Sequence, residues 1–290
     1  MRTRPTLTWT VTAAPVPATT SLDELARAVT GRGVVVLSGA GLSTESGIPD
    51  YRGASGTLRR HTPMTYQEFA GSEAARRRYW ARSHLGWRTV ARAEPNDGHR
   101  AVTELRARGY LSGVITQNVD GLHQAAGTPG VVELHGSLDR VVCLDCGRTT
   151  SREALDDQLR AANPGFAGVA ARVNPDGDVE LADEVVREFQ LVACAGCSGR
   201  LKPDVVFFGE NVPPPRVRRC YRLVEAASAM LVLGSSLAVM SGLRFVRSAA
   251  RAGKPVLIVN QGETRGDPHA AVRVDLPLGR ALTELANRLP

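Results

Sequence analysis

Four of the chain's five cysteines fall into two Cys-x-x-Cys pairs, Cys143 with Cys146 and Cys194 with Cys197. A pair at that spacing forms a knuckle that turns two thiolates toward one ion, and two knuckles complete the tetrahedral sulfur set of a structural zinc. Such a set is closed, because no position is left for a reacting group. Cys143, Cys146, Cys194 and Cys197 are therefore expected to hold one Zn2+ that braces the fold and takes no part in catalysis. The pairs lie farther apart than in a simple zinc ribbon, so residues 151–190 must form an excursion of their own. Two disulfides are the alternative; they suit a secreted protein, and nothing marks this chain as one. Cys220 stands alone and reads as a small buried apolar residue.

A second set of chemistry-bearing residues sits at the ends of apolar runs. Val34-Val35-Val36-Leu37 passes into Ser38-Gly39-Ala40-Gly41, the pattern of a buried parallel strand feeding a glycine turn. Gly39 and Gly41 let backbone N–H groups approach a phosphate, and a helix begun at Ser43 or Thr44 would present its positive end to a pyrophosphate, so a dinucleotide is the natural ligand. The usual dinucleotide fingerprint is incomplete: Thr44 stands where a third glycine belongs, and no acid closes a second strand about twenty residues on. The continuation Ser46-Gly47-Ile48-Pro49-Asp50-Tyr51-Arg52-Gly53 opposes a regular helix and gathers an acid, an aromatic and an arginine.

The strand-then-polar pattern recurs. Leu111-Ser112-Gly113-Val114-Ile115-Thr116 ends in Gln117-Asn118-Val119-Asp120-Gly121-Leu122-His123, and Val131-Val132-Glu133-Leu134 ends at His135-Gly136. Met230-Leu231-Val232-Leu233 ends at Gly234-Ser235-Ser236, and Val256-Leu257-Ile258-Val259 at Asn260-Gln261-Gly262. In open parallel sheets ligands bind beyond the carboxyl ends of the strands, so these polar termini should converge on one crevice.

The elements that must position them are legible in outline. Residues 1–20 mix Thr, Pro, Ala and Val without periodicity and read as a flexible tail, followed by a helical start with Ser21 and Glu24 as a capping box. Residues 54–95, rich in Arg, Ala, Trp and Tyr at helical spacing, read as a helical module whose aromatics are core. Pro95-Asn96-Asp97-Gly98-His99 breaks it, and a helix through Arg100 to Arg108 leads into the second strand. The length of 290 residues suits one large α/β domain with an insertion. The apolar fraction is 43%, globular in character. No apolar run reaches the roughly 18 residues of a membrane span, and there is no signal-peptide core, so a cytoplasmic protein with no membrane partner is expected. The net charge of +7 is almost all arginine, since Lys202 and Lys254 are the only lysines. It favours anionic ligands such as dinucleotides, and nucleic acid only weakly. Arg76-Arg77-Arg78, the tightest basic cluster, reads as a solvated helix face.

Taken together, Gly39-Ala40-Gly41 through Arg52, Thr116-Gln117-Asn118-Val119-Asp120, Leu134-His135-Gly136, the cysteine pairs, Lys202-Pro203-Asp204-Val205-Val206-Phe207-Phe208-Gly209-Glu210, Gly234-Ser235-Ser236-Leu237 and Asn260-Gln261-Gly262 stand in sirtuin order. The chain resembles the sirtuin family over roughly residues 24–285. Arg78-Tyr79-Trp80-Ala81-Arg82, Cys143-Leu144-Asp145-Cys146-Gly147 and Asn174-Pro175-Asp176-Gly177-Asp178-Val179 look most like the class II branch.

The resemblance implies an α/β fold: a Rossmann-type parallel sheet domain from residues 21–53, 96–137 and 203–290, with a smaller lobe built from the helical module at 54–95 and a zinc-binding module at 138–202. It implies NAD as cofactor, bordered by Gly39, Ala40, Gly41, Glu45, Asp50, Tyr51 and Arg52. Gln117, Asn118, Val119 and Asp120 would line the nicotinamide and ribose region, with Asn118 counted as catalytic. Gly234, Ser235, Ser236, Asn260, Gln261, Gly262 and Leu278 would complete the cofactor site, with Ser235, Asn260 and Gly262 at the adenosine half. An acylated lysine of a substrate protein would lie between the lobes, with Val205 and Phe208 shaping its channel.

The implied activity is NAD-dependent removal of acyl groups, acetyl or longer, from protein lysines, giving nicotinamide, O-acyl-ADP-ribose and free lysine. Losing nicotinamide develops positive charge on the ribose, so an enclosed polar pocket must hold the weakly nucleophilic acyl oxygen at the opposite face. A neutral imidazole can then take a proton from a ribose hydroxyl so that this oxygen attacks the acyl carbon. His135, at a strand end and followed by Gly136, is the candidate base. His123, beside Asn118 and Asp120, is its competitor, whereas His61, His84 and His269 sit in polar contexts.

Two departures from the commoner sirtuin pattern bear on acyl preference: Tyr51 stands where phenylalanine is common, and Ser241-Gly242 replaces a proline. Class II relatives leave ADP-ribosyl transfer to protein as an alternative on the same fold. A zinc-ribbon nucleic-acid-binding protein would explain the charge and the cysteines but not the polar strand ends. A Rossmann dehydrogenase is disfavoured by Thr44.

Overall fold

The structure, a computed structural model, describes residues 21–31, 33–50, 63–166 and 181–290. The expected tail at 1–20, Tyr51, Arg52, His61 and the 174–179 stretch lie outside the described residues. The strands in chain order are β1 (Val34–Ser38), β2 (Leu111–Thr116), β3 (Val132–Glu133), β4 (Gly136–Cys143), β5 (Thr149–Ser151), β6 (Leu201–Val205), β7 (Ala229–Leu233), β8 (Val256–Val259) and β9 (Val272–Val274). The helices are α1 (Asp23–Val29), α2 (Tyr66–Gly71), α3 (Glu73–Ala91), α4 (Asp97–Ala107), α5 (Leu122–Ala125), α6 (Arg152–Ala162), α7 (Asp183–Glu188), α8 (Pro214–Ala226), α9 (Met240–Arg251) and α10 (Leu278–Arg288).

Six strands form one sheet in the order β3-β2-β1-β7-β8-β9, and each neighbouring pair is parallel. Strand order reverses between β1 and β7, which opens a crevice at their carboxyl ends. All five residues of β1 are fully buried, as a strand covered on both faces requires. Its side chains divide by the two-residue period of a strand. Val34 and Val36 pack with α1, α4 and α10 residues such as Leu25, Leu105 and Leu282, while Val35 and Leu37 pack with Val224 of α8 and Phe245 of α9.

The smaller lobe has its own core and a three-stranded antiparallel sheet ordered β5-β4-β6. Phe69 of α2 and Tyr79 and Trp80 of α3 share this core with Val141 of β4, Leu155 and Leu159 of α6 and Leu201 of β6. The helical and cysteine-bearing segments therefore fold as one unit, and the aromatics of α3 are core as expected. Trp80 seals the contact by donating its indole N–H to the Leu201 carbonyl at 3.1 Å.

Two local expectations are corrected. α1 starts at Asp23 with Leu22 in the N-cap position and no side-chain cap bond, so Ser21 and Glu24 form no capping box there; the box forms instead at Thr65 and Glu68, at the start of α2. The helix expected from Ser43 or Thr44 is replaced by two single 3-10 turns, Ala40–Leu42 and Thr44–Ser46, stopped by Gly47 at φ 83°. His84 sits in a polar context, and a buried one: it is 3% exposed, 2.7 Å from Asp156, in a cluster with Arg152, whose guanidinium lies 4.7 Å over the Trp87 ring. Elsewhere α4 begins at Asp97, capped by the Asn96 side chain, three residues ahead of the expected Arg100.

Candidate active site

The ends of β1 and β7 touch. Gly39 N–H donates to the Leu233 carbonyl and Gly41 N–H to the Gly234 carbonyl, both at 2.9 Å. A Cβ on Gly39 would fall 2.8 Å from the Gly234 oxygen, and one on Gly41 would fall 2.9 Å from it. Small residues are thus required here by the close approach of two strand ends. The β7 end is itself bent sharply, with Gly234 at φ 59° and Leu237 at φ 53°. For a residue with a side chain that left-handed geometry costs about 1–2 kcal/mol, and the buried Leu237 side chain, 1% exposed, anchors the turn against it.

Beyond these ends lies a cavity of about 690 Å³. Its walls include Gly39, Ala40, Gly41, Asp50, Gln117, Asn118, Val119, Asp120, His135, Val205, Phe208, Gly234, Ser235, Ser236, Asn260, Gln261 and Gly262. The polar strand ends singled out in the sequence do converge. Glu45 and Leu278 do not line this cavity. The Glu45 carboxylate accepts the Gly279 N–H at 3.0 Å at the start of α10, and Leu278 is 3% exposed in the core between α10 and the sheet.

The end of β2 is tied to its neighbours by side chains. Gln117 donates its amide to Ser235 Oγ at 2.8 Å, and Asn118 donates to the Gly39 carbonyl and Ser43 Oγ, both at 3.0 Å. Ser43 in turn donates to Asp120 Oδ2 at 2.7 Å, and Leu122 N–H donates to its Oδ1 at 3.0 Å. Burial pushes the Asp120 carboxyl upward, and those two donors pull it back. Asn260 folds its own loop by donating to the Gln261 and Gly262 carbonyls at 2.9 and 3.0 Å.

His135 and His123 are placed very differently. The Nδ1 of His135 lies 3.0 Å from the Gln117 carbonyl, which can only accept, so Nδ1 carries the proton and Nε2 the lone pair. Burial holds this imidazole well below its usual range, to about 4, so it is neutral at pH 7. Its backbone carbonyl accepts the Val206 N–H at 2.8 Å, coupling the histidine to residues 205–210 along the cavity wall. Gly136 follows because a Cβ there would collide with the Asp204 carbonyl of β6. His123 is 1% exposed and outside the cavity; its Nε2 lies 2.9 Å from Ser38 Oγ, and its ring meets His99 edge to face.

Residues 205–210 are held from behind. Lys202, 3% exposed, donates its ammonium to the Val205 carbonyl at 2.5 Å and pairs with Glu210 at 3.0 Å. Glu210 accepts the Phe207 N–H at 2.8 Å. Phe208, 36% exposed, stands at the cavity mouth.

The four cysteines lie away from this cavity, with their sulfurs all within 4.8 Å of one another and the pairs Cys143–Cys197 and Cys146–Cys194 at 3.5 and 3.9 Å. Zinc–sulfur bonds of about 2.3 Å in a tetrahedron set sulfurs roughly 3.8 Å apart, so the set fits one zinc and leaves no open position. Asp145 joins the knuckles by accepting from the Arg200 backbone at 2.7 Å and its guanidinium at 2.6 Å. Cys220 is fully buried between α8 and the sheet, and burial pushes its thiol up to about 12, which makes it inert.

Sequence reasoning missed the role of Ser241, which lines the cavity and lies 2.8 Å from His135 Nε2. It also missed His99, fully buried against His123, and the Lys202–Glu210 pair. The one signal for Ser241 was the loss of a common proline, which says nothing about a hydrogen bond.

Residues 39–241 match the description Sir2 family. The chain is 66% identical over 289 residues to the NAD-dependent protein deacetylase 1 of Streptomyces coelicolor, covering 100% of this chain and 97% of that relative. It is 50% identical over 273 residues to the protein of the same name from Mycobacterium avium, covering 92% and 95%. Among solved structures it is similar to a Sir2 with a p53 peptide and NAD+, with TM-score 0.72, 28% identity and coverage of 92% and 98%.

Proposed function

The chain belongs to the Sir2 family and is an NAD-dependent protein deacetylase, and within that activity we propose the roles of its residues. His135 is the general base. The observation that carries this is its tautomer: a neutral ring whose Nδ1–H is spent on the Gln117 carbonyl, with the Nε2 lone pair on the cavity side, next to Ser241. A hydroxyl brought to Nε2 loses its proton there, the O–H bond breaking as N–H forms, and the ring becomes imidazolium.

The residues present fit NAD, since the cavity size is that of a small-molecule site and its wall includes Gly39, Gly41 and Gly234, whose backbone carries no side chain into it. When bound, NAD supplies an electrophilic ribose carbon with nicotinamide as leaving group. Gly39, Ala40, Gly41, Gln117, Asn118, Asp120, Gly234, Ser235, Ser236, Asn260, Gln261 and Gly262 would hold it, and Asp50 lines the same wall. Asn118 and Asp120 fix the shape of that wall through Ser43. Val205 and Phe208 line the acyl-lysine channel, supported by their place at the mouth and by the Lys202 anchor behind them. The cysteine cluster holds one structural zinc, and its role is to fix β4 and β6, which carry His135 and Val205 at their cavity ends.

The proposed location is the cytoplasm, supported by four thiols arranged as a ligand set, as a reducing compartment allows. No helix among the described residues is long and apolar enough to cross a membrane. NAD-dependent release from peptides bearing acetyl and longer acyl-lysines, read by mass spectrometry, tests the reading. Formation of O-acetyl-ADP-ribose supports it, and ADP-ribose transferred to protein with no deacylation overturns it in favour of the transferase alternative.

A further inference from the structure

The base assigned to His135 has a partner that the reaction as described does not use. Ser241 sits in the first turn of α9, on the cavity wall, with Oγ 2.8 Å from His135 Nε2. Since Nδ1 bears the ring proton, the serine hydroxyl is the donor and Nε2 the acceptor. Both ring nitrogens are therefore occupied, one by the Gln117 carbonyl and the other by a hydroxyl. This depends on how closely α9 approaches the end of β2. The next residue is Gly242, and a Cβ there would fall 2.5 Å from the Gln117 side-chain oxygen. Gly242 lets the helix in, and Ser241 is brought into reach by it.

We infer that Ser241 is a positioning residue for the base, fixing the orientation of the His135 ring, whose tautomer the Gln117 carbonyl sets, with Nε2 on the cavity side. The inference rests on His135 being the base. A hydroxyl suits the task because it can yield: Nε2 has a single lone pair, so the serine donates to it only until the reacting hydroxyl takes its place, and once the ring has gained that proton the serine oxygen accepts from Nε2–H. The second bond is charge-assisted and roughly twice as strong as the first, so the serine favours the imidazolium at the moment it forms. This opposes the burial and the nearby Arg216 and Arg244 guanidinium groups, all of which disfavour the cation. Water could make the same bond in the open cavity, but substrate would expel it. A side chain stays.

The test uses the full protein with 15N-labelled histidine, free of any ligand, at pH 7. Wild type should show His135 as the Nδ1–H tautomer with a hydrogen-bonded Nε2. Ser241→Ala should move the Nε2 resonance toward a free lone pair while the Nδ1–H tautomer set by Gln117 is kept, and Ser241→Thr should restore the wild-type signal. On folded protein with NAD and acetyl peptide, Ser241→Ala should slow acyl transfer by about 3–10-fold, the difference between a charge-assisted and a neutral hydrogen bond, while nicotinamide exchange is spared and threonine rescues. Unchanged ring signals in folded Ser241→Ala overturn the inference and leave His135 as base untouched. Full acyl-transfer activity in His135→Asn overturns the base and this inference with it.

Discussion

Replacing His135 by asparagine separates catalysis from folding, because the two candidate histidines differ in what else they hold up. Asparagine can still donate to the Gln117 carbonyl, the bond His135 makes at 3.0 Å, but it cannot take a proton at neutral pH. Loss of a general base costs about 10²–10⁴-fold, so O-acetyl-ADP-ribose formation should fall by that range. Exchange of labelled nicotinamide, which precedes the base-assisted step, should be partly spared. His123→Asn should behave in the opposite manner. His123 is 1% exposed and its Nε2 meets Ser38, which also bonds Thr116 across β1 and β2 at 2.9 Å. Leaving a buried partner unsatisfied costs about 1–3 kcal/mol, so the melting temperature should drop while per-molecule activity of the folded fraction is kept. The assay is acyl-ADP-ribose formation and nicotinamide exchange on both variants, with unfolding followed on the same samples. Normal acyl transfer by His135→Asn, with loss in folded His123→Asn, would refute the reasoning and pass the role to His123.

Elemental analysis should give one zinc per chain, and Cys143→Ser or Cys194→Ser should release it and lower stability and activity together, because both sulfurs belong to the small lobe's core; active, folded protein without zinc would refute this. Structural zinc contributes about 10–16 kcal/mol in small modules, more than a typical domain has to lose. Asp120→Asn, which keeps an acceptor for the Leu122 N–H and turns its amide NH2 toward Ser43 Oγ, which can accept, should sharply reduce nicotinamide release with little change in melting temperature; unchanged NAD binding by calorimetry would remove Asp120 from the site. Gly41→Ala should cost about 1–3 kcal/mol, because a methyl 2.9 Å from the Gly234 carbonyl forces β1 and β7 apart, and NAD affinity should fall with it; a wild-type melting curve would show that the turn yields. Stability should also fall steeply in mild acid. Burial holds His99 to about 3 and His123 and His135 to about 4, so between roughly pH 6.5 and 4 the unfolded chain binds three protons the native chain refuses. Stability from this source is whole above pH 6.5 and is lost on acidification by up to about 4 kcal/mol per pH unit; a flat unfolding free energy from pH 7 to 5 would contradict it.

Much of the site was legible because its signals are short range. A buried parallel strand is a run of apolar residues, and the polar residues after it have no role in the sheet, so β1, β2, β7 and β8 and their cavity ends could be read from the chain in order. The cysteine pairs are equally local, since each knuckle is complete within its own four residues. What failed was whatever depends on a distant neighbour. Ser21 and Glu24 have the spacing of a capping box, but packing of Leu22 and Leu25 against the sheet starts α1 at Asp23. The expected helix after Gly41 gives way to 3-10 turns because contact with Gly234 and the left-handed Gly47 fix the path of the chain.

His84 shows the same limit from the other side. Its neighbours in sequence say nothing of its partner, yet Asp156, 72 residues away, reaches it at 2.7 Å and the pair is buried with Arg152. Ion-pair partners so far apart leave no trace in a local pattern. The glycines at the nucleotide turn carry a related lesson. Gly39 and Gly41 were read as room for a phosphate, and the structure shows that they are first of all room for Gly234 and Ser235. The two requirements do not compete. A parallel sheet whose central strands close on each other at the switch point presents bare backbone to the crevice, and bare backbone is what an anion needs. Glycine at these positions is then demanded by the fold before any ligand arrives, so Gly41→Ala should weaken NAD binding through the strand ends even if its methyl never touches the dinucleotide.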